Sequence, residues 1–276
     1  MMEEPAPAKI NLALHLRRRR PDGYHDLESI FAFTDFGDTL RGEAGEGLSL
    51  SLSGPTAAAA DVGEDNLVLR AARALAAAAG VTAGAALQLE KRIPVAAGLG
   101  GGSADAAAAL RLLNRLWGLD WPLDRLAGVA EPLGADVPVC VFSQTMFGAG
   151  KGEALSAWPQ DYAGTPVLLV NPRVAVATGP VFAGWDQQDR GPIDPAIPLT
   201  GLRNDMTAAA IALQPVIADV LLALESGGEL GGEASLVRMS GSGATCLALY
   251  PDVAARDRAA AALDRSGWWL CPTQLR

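Results

Sequence analysis

Residues 94 to 105 read Pro94-Val95-Ala96-Ala97-Gly98-Leu99-Gly100-Gly101-Gly102-Ser103-Ala104-Asp105, and no other stretch of the sequence points so directly to a chemistry. Glycine has no Cβ, so a chain rich in it turns sharply and brings its backbone close to a phosphate. The helical pattern that follows would aim free N–H groups and the positive end of its dipole at the same place. A strand, a glycine-rich turn and a helix in this order make an anion site that suits a polyphosphate. Two familiar loops are excluded. A Walker A loop ends in Gly-Lys-Ser or Gly-Lys-Thr, whereas Ser103 follows Gly102 with no lysine between them. A dinucleotide fingerprint needs a third glycine where Ser103 stands. By itself the string reads more readily as a flexible connection, Gly98 to Gly102, whose Ser103 caps the next helix.

The elements that must position this loop can be read from periodicity. Lys9, Asn11, Ala13 and His15 alternate with Ile10, Leu12, Leu14 and Leu16, the pattern of a half-buried strand on which Lys9 and Asn11 share a face. Arg17 to Arg20 then lead into the turn Pro21-Asp22-Gly23, and the apolar stretch Leu27 to Phe36 completes a hairpin with Tyr24 and His25 near its tip. The arginine run reads as a solvated edge. Gly37-Asp38 and the segment Gly42 to Gly47 read as turns between short strands, one of them Leu48 to Leu52. Asp65-Asn66 opens an alanine-rich helix that Gly80 closes, and Ala85 to Lys91 alternates as the strand entering the glycine string.

Helices are expected over Ser103 to Trp117 and Pro122 to Leu133, followed by Gly134-Ala135-Asp136-Val137-Pro138 and a buried strand from Val139 to Phe142. The region Trp158 to Leu199 is rich in Pro and Gly, with one clear strand at Val167 to Val170. A boundary at its start divides the chain into 1–157 and 158–276. Further on come helices over Asp205 to Leu213 and Val216 to Glu225, two apolar segments around Ser240-Gly241-Ser242-Gly243, a helix from Asp252 to Asp264 and a strand from Trp268 to Gln274. Hairpins intermixed with helices predict the α+β class with mixed sheets.

Composition narrows the function. A chain of 276 residues, half of them apolar, buries a large core in two modest lobes. A net charge of -9 argues against nucleic acid as a partner, because phosphate-backbone binding relies on excess positive charge. Met1 to Lys9 carries acidic residues and prolines instead of a signal sequence, and Gly or charge interrupts every apolar stretch before it could span a membrane. The expectation is a cytoplasmic protein with no membrane partner. Cys140, Cys246 and Cys271 lie far apart with no metal or redox spacing, and read as reduced, buried thiols.

The string Pro94 to Ala109 resembles the central motif of the GHMP kinases, Pro-x-x-x-Gly-Leu-Gly followed by small residues and serine. Pro7-Ala8-Lys9-Ile10-Asn11-Leu12 is similar to that family's first motif and Met239-Ser240-Gly241-Ser242-Gly243-Ala244 to its third, in the family's order and across nearly the whole chain. Arg20-Pro21-Asp22-Gly23-Tyr24-His25, Leu133-Gly134-Ala135-Asp136-Val137-Pro138 and Gly150-Lys151-Gly152-Glu153 are similar to members whose acceptor is a cytidine diphosphate polyol.

The resemblance implies a two-lobed α+β GHMP fold with an ATP-binding lobe at 1–157, a second lobe at 158–276 and an active site in the cleft between them. It implies transfer of a phosphoryl group from ATP, with Mg²⁺, to a hydroxyl. Pro94 to Ala104 would then hold the nucleotide, with Asn66 and Lys91 near its base and ribose. Asp136 would be the general base and Lys9 its neighbour. Tyr24 and His25 would meet the cytosine, Phe182 its other side, and Asn11 and Thr178 the polyol and its phosphates. Read from residue type alone, Asn66 is a helix cap, Lys91 a surface lysine, Asp136 a turn residue, His25 a bonded turn histidine and Phe182 a core aromatic. Many members carry a second serine where Ala104 stands, so Ser103 is the one suggested metal contact. A monomer or a homodimer would serve. The rival readings are a homoserine or mevalonate kinase type, and a ligand-binding protein that keeps this fold without catalysis.

Overall fold

A computed structural model describes residues 1–60, 63–227, 233–264 and 267–276. β1 (Met2–Arg19) and β2 (His25–Gly45) pair with each other across the turn at Pro21-Asp22-Gly23, and both far exceed the usual strand length. Their length lets each belong to both of the chain's compact units. One unit comprises Met1–Lys9, Gly37–Val95 and Gly100–Gln144; the other comprises Ile10–Phe36, Ala96–Leu99 and Thr145–Arg276. Contacts therefore interleave along the sequence and do not divide at one point such as 157/158. The half-buried reading of Lys9 to Leu16 is corrected as well: residues 6–16 are buried on both faces of the strand.

In the first unit, the later part of β2 pairs antiparallel with β4 (Gly84–Glu90), and β3 (Leu48–Ser53) runs parallel to β4. Parallel neighbours need a crossover, which α1 (Leu67–Ala79) provides. Both ends of α1 follow from sequence: Asn66 Oδ1 accepts a hydrogen bond from the Val68 N–H at 2.9 Å, and Gly80 closes the helix at φ +65°. α2 (Gly101–Leu116) and α3 (Leu123–Ala130) pack with α1, α4 (Val137–Phe142) packs with α2 and α3, and the buried alanines of α2 allow close approach.

Three expectations are overturned in this unit, the first at Gly42 to Gly45, which lie inside β2 and pair with β4 instead of turning. Gly37 and Asp38 lie inside β2 instead of in a turn, and a Cβ at Gly37 would come within 2.4 Å of the Ala6 carbonyl oxygen. That glycine admits a close strand contact. Val139 to Phe142 is helical: a short, wholly buried apolar run has no polar positions to betray its period, and Pro138 in the first turn starts a helix.

In the second unit, the early part of β2 pairs with β5 (Met146–Ala149), which turns back into β6 (Ala154–Ala157); periodicity reveals neither of these short strands. β7 (Pro166–Asn171) lies between β10 (Trp269–Gln274) and β9 (Cys246–Leu249), with β8 (Leu236–Met239) beyond, in an antiparallel sheet. α5 (Thr178–Ala183), α6 (Thr207–Leu213), α7 (Val216–Ser226) and α8 (Val253–Leu263) complete it. Its core gathers Leu14, Leu16 and Leu27 with Leu168, Val170, Met239 and Tyr250. The three cysteines are buried, as expected, and form no disulfide among the described residues. Among the described residues no helix is long and apolar enough to cross a membrane.

Candidate active site

The glycine string leaves β4 and enters α2 through backbone conformations that favour glycine: φ is +76° at Gly98 and +63° at Gly100, with Ala96 at 54° between β4 and the glycines. Gly100 is the residue that caps α2, and Ser103 lies inside the first turn, so the reading of Ser103 as the cap does not hold. The first helical bond runs from the Ala104 N–H to the Gly100 carbonyl at 2.8 Å. The N–H groups of Gly101, Gly102 and Ser103 thus emerge ahead of the ladder at the positive end of a helix of 16 residues.

Lys9 reaches this turn from β1. A Cβ at Gly100 would sit 3.1 Å from Lys9 Cε and 3.3 Å from Lys9 Cβ, a tight fit that together with φ +63° favours glycine where the loop passes the lysine. Lys9 Nζ lies 2.9 Å from Asp136 Oδ2, with the lysine side chain 5% exposed and the aspartate 38%. A buried ammonium needs such an anion. Asp136 is the residue before α4, and its carboxylate makes no capping bond, which leaves it to the lysine. Cys140 stands one turn on, where burial and then the Asp136 charge push its thiol up. The result is a partly exposed carboxylate fixed by an ammonium, next to a turn of outward amides.

The second unit holds the other expected residues. The Asn11 N–H donates to Ser240 Oγ at 3.2 Å, and Ser240 Oγ donates to the Gly98 carbonyl at 2.9 Å. The third motif therefore grips the glycine string directly; the Thr245 N–H adds a bond to the Ala97 carbonyl at 3.2 Å. A Cβ on Gly98 would meet the Ser240 and Gly243 carbonyl oxygens at 2.6 and 2.7 Å. Asn11 Nδ2 donates to Ser29 Oγ at 2.7 Å, and the Thr178 and Ser242 hydroxyls are 3.0 Å apart.

His25 and Phe182 come together, stacked with centroids 4.9 Å apart, and Trp185 meets the same imidazole edge-on at 5.7 Å. Burial and then Arg19 lower the His25 pKa, so at neutral pH its ring is uncharged, one nitrogen donating and the other accepting. Tyr24 is 58% exposed, with Lys151 Nζ 4.8 Å from its ring centroid. Three arginines of the run are paired: Arg17 with Glu28 and Asp189, Arg18 with Asp26, Arg20 with Asp22 and Asp26.

Asn66 is the cap of α1, and Lys91 is not a surface lysine but 4% exposed. Its ammonium contacts Asp38 and lies 2.6 Å from Asp105 Oδ2. Sequence reasoning passed over both carboxylates, although an aspartate amid the alanines of α2 is a signal that could have been followed. It also gave no role to Trp185 and none to Lys151. Among the described residues no group of three or more His, Cys, Asp or Glu side chains is placed to hold a metal ion.

The model for the GHMP kinases N terminal domain matches residues 66–144, and that for the GHMP kinases C terminal matches residues 188–268. The 4-diphosphocytidyl-2-C-methyl-D-erythritol kinase of Rhizorhabdus wittichii is 53% identical over 99% of this chain and 94% of its own length. The protein of that name from Sphingopyxis alaskensis is 49% identical over 100% of this chain and 99% of its own. A crystal structure of a 4-(cytidine 5'-diphospho)-2C-methyl-D-erythritol kinase superposes with a TM-score of 0.82 at 33% identity, covering 99% of both chains.

Proposed function

Because the chain belongs to the GHMP kinases, and within them to the family of the 4-diphosphocytidyl-2-C-methyl-D-erythritol kinases, we propose that it transfers the γ-phosphoryl group of ATP to the 2-hydroxyl of 4-diphosphocytidyl-2-C-methyl-D-erythritol, giving the 2-phosphate and ADP in the non-mevalonate route to isoprenoid precursors. The observation that carries the reading is the Lys9–Asp136 pair, 2.9 Å apart, beside the glycine turn.

Phosphoryl transfer asks a protein mainly to position the reactants and to offset charge. Asp136 takes the proton of the attacking hydroxyl. The hydroxyl oxygen bonds to the γ-phosphorus while the bond to the β–γ bridging oxygen breaks, and ADP leaves with that electron pair. Lys9 holds the carboxylate in place and its positive charge favours the developing alkoxide. The amides of Gly101, Gly102 and Ser103 face the phosphates. Asn11 is two residues along β1 from Lys9, about 7 Å at the rise of a strand, which suits a group handling the polyol next to the reacting hydroxyl. Thr178 serves the same part of the acceptor, and Tyr24, His25 and Phe182 its cytosine. The neutral imidazole of His25 can both donate to and accept from a base edge.

ATP is the donor throughout this family. The reading takes it with Mg²⁺, a hard ion that the phosphates, water and the Ser103 hydroxyl suit, and that draws charge off the transferring group when bound. Nucleotide-handling residues fall in 1–157, Asn66 and Lys91 among them, while 158–276 adds Thr178 and Phe182 for the acceptor. A monomer or homodimer working in the cytoplasm without nucleic acid fits the net charge of -9.

Coupled ADP release tests the reading. The full chain should release ADP with the diphosphocytidyl substrate and far more slowly with the methylerythritol phosphate that lacks cytidine. Preference for homoserine or mevalonate in kcat/KM, or no ADP with any cytidine diphosphate polyol, would overturn it.

A further inference from the structure

Lys91 is the last residue before the chain enters the glycine loop, and its side chain points into the first unit. Its ammonium touches Asp38 Oδ2 and is 2.6 Å from Asp105 Oδ2, and the three side chains are 5%, 0% and 6% exposed. Asp38 Oδ1 also accepts the backbone N–H groups of Arg92 and Ile93, at 2.5 and 2.7 Å. One carboxylate of β2 thus fixes three consecutive residues of the loop's entry, and Asp105 ties the same ammonium to the helix by which the loop leaves. A Cβ on Gly101 would come 3.1 Å from Ile93 Cγ2 and 3.5 Å from Lys91 Nζ, so the cluster lies against the first turn of α2, where the amides emerge.

The charges decide what this cluster can do. Two carboxylates on one ammonium leave an excess negative charge beside a site for a polyanion, and an ammonium this occupied has little capacity left for a phosphate. Burial pushes the Asp105 carboxyl up to about 8 in spite of Lys91, with Asp38 adding to the rise. Asp105 Oδ1 is buried with no hydrogen-bond partner among the described residues, and is the oxygen on which a proton would sit. A protonated Asp105 makes the cluster neutral, so it braces the loop without repelling the phosphates.

We propose that Lys91, Asp38 and Asp105 form a positioning device that fastens the strand entering the phosphate loop to the helix leaving it, and that Lys91 acts on the nucleotide through the loop amides rather than by touching it. The proposal rests on the reading of that loop as a nucleotide site. A lysine that bound ATP itself would behave differently from a lysine that binds the loop: removing its carboxylate partner would free the former and disarm the latter.

Steady-state kinetics and ADP calorimetry on full-length variants separate the two. Asp105→Ala and Lys91→Met should each raise the KM for ATP by about tenfold or more, as misplacement of a binding group does, with kcat at saturating nucleotide and the KM of the acceptor little changed. Lys91→Met combined with Asp105→Ala should lose no more than either single change, because the partners act as one. Asp105→Asn, which keeps an acceptor for the ammonium, should recover part of what Asp105→Ala loses. If a single variant does not melt cooperatively, Asp38→Asn decides: it can keep the Arg92 and Ile93 hydrogen bonds, and a raised KM for ATP supports the proposal. An unchanged KM for ATP in Asp105→Ala or Asp38→Asn, beside a raised one in Lys91→Met, would overturn it in favour of direct contact. Absence of ADP binding by the parent chain would bring down the functional reading and this inference with it, whereas parent binding that Asp105→Ala leaves unaltered defeats the inference alone.

Discussion

A carboxylate that takes a proton and one that merely anchors a lysine look alike at 2.9 Å, and the proposed function asks Asp136 to be both. Asn in its place keeps the shape and an oxygen for Lys9 but has no capacity for the proton. Asp136→Asn should therefore lower kcat by about two to four orders of magnitude while ADP still binds. The stability cost should stay below the ~3–5 kcal/mol of breaking a fully buried pair, because Asp136 is 38% exposed and Asn keeps an oxygen for the buried Lys9 ammonium. Single-turnover assays with calorimetry check this, and near-normal turnover in a variant that melts like the parent would strip Asp136 of its role. At this scale little was legible from residue type. A lysine on a strand and an aspartate in a turn are by default surface residues, and Lys9 and Asp136 became legible only through the motifs around them. Asp38 and Asp105 sit where sequence suggested a turn and a plain helix face, so the partners of Lys91 stayed hidden.

Elements were most legible where a local signal closes both ends. Asn66 and Gly80 bound α1, Asp252 caps α8 with its side chain on the Ala255 N–H, and the alternation of Leu48 to Leu52 gives β3. They were least legible where the environment is uniformly apolar: α4 reads like a strand, and β1, buried on both faces, reads as half-solvated through its polar residues. One of these polar residues has a thermodynamic consequence. His15 is 1% exposed, its Nδ1 donates to the Gly191 carbonyl at 3.1 Å and its Nε2 accepts the Arg203 N–H at 3.3 Å, which requires the neutral ring. Burial first and then the Arg203 charge lower its pKa, against smaller opposing effects of the Gly191 carbonyl, Asp205 and Glu28. A lowered folded pKa means that the contribution of His15 is complete above its unfolded pKa of about 6.5 and is lost as pH falls through the folded value. Asp105 titrates with the opposite sign, so the parent's melting curve alone does not isolate the effect. The difference in Tm between the parent and His15→Gln does: it should be largest above pH 7 and narrow steadily towards pH 5. A constant gap would show that the ring does not titrate in this window.

At the scale of the molecule, the ordering of segments matters more than any boundary within them. Residues 10–36 belong to the same unit as residues 145–276, and what joins them is specific. Arg238 is buried without a carboxylate partner among the described residues, its pKa lowered to about 10 by burial, and it donates to the Leu12 carbonyl at 2.7 Å and the Leu199 carbonyl at 3.1 Å. Leu16 N–H donates to Asp205, Arg276 N–H to the Phe33 carbonyl, and Leu14, Leu16 and Leu27 fill the same core as Leu168 and Val170. Cutting the chain at 157/158 leaves the four strands of the β7 sheet intact but strips these partners away. A buried guanidinium then loses an acceptor and the core opens on one side, changes that together exceed the ~5–15 kcal/mol by which a domain of this size is stable. The fragment 158–276 should consequently show no cooperative thermal transition when made alone, and joint expression with 1–157 should return a soluble pair that melts cooperatively. A sharp transition in 158–276 by itself, followed by circular dichroism, would mean that β1 and β2 are dispensable to the unit in which their buried side chains lie.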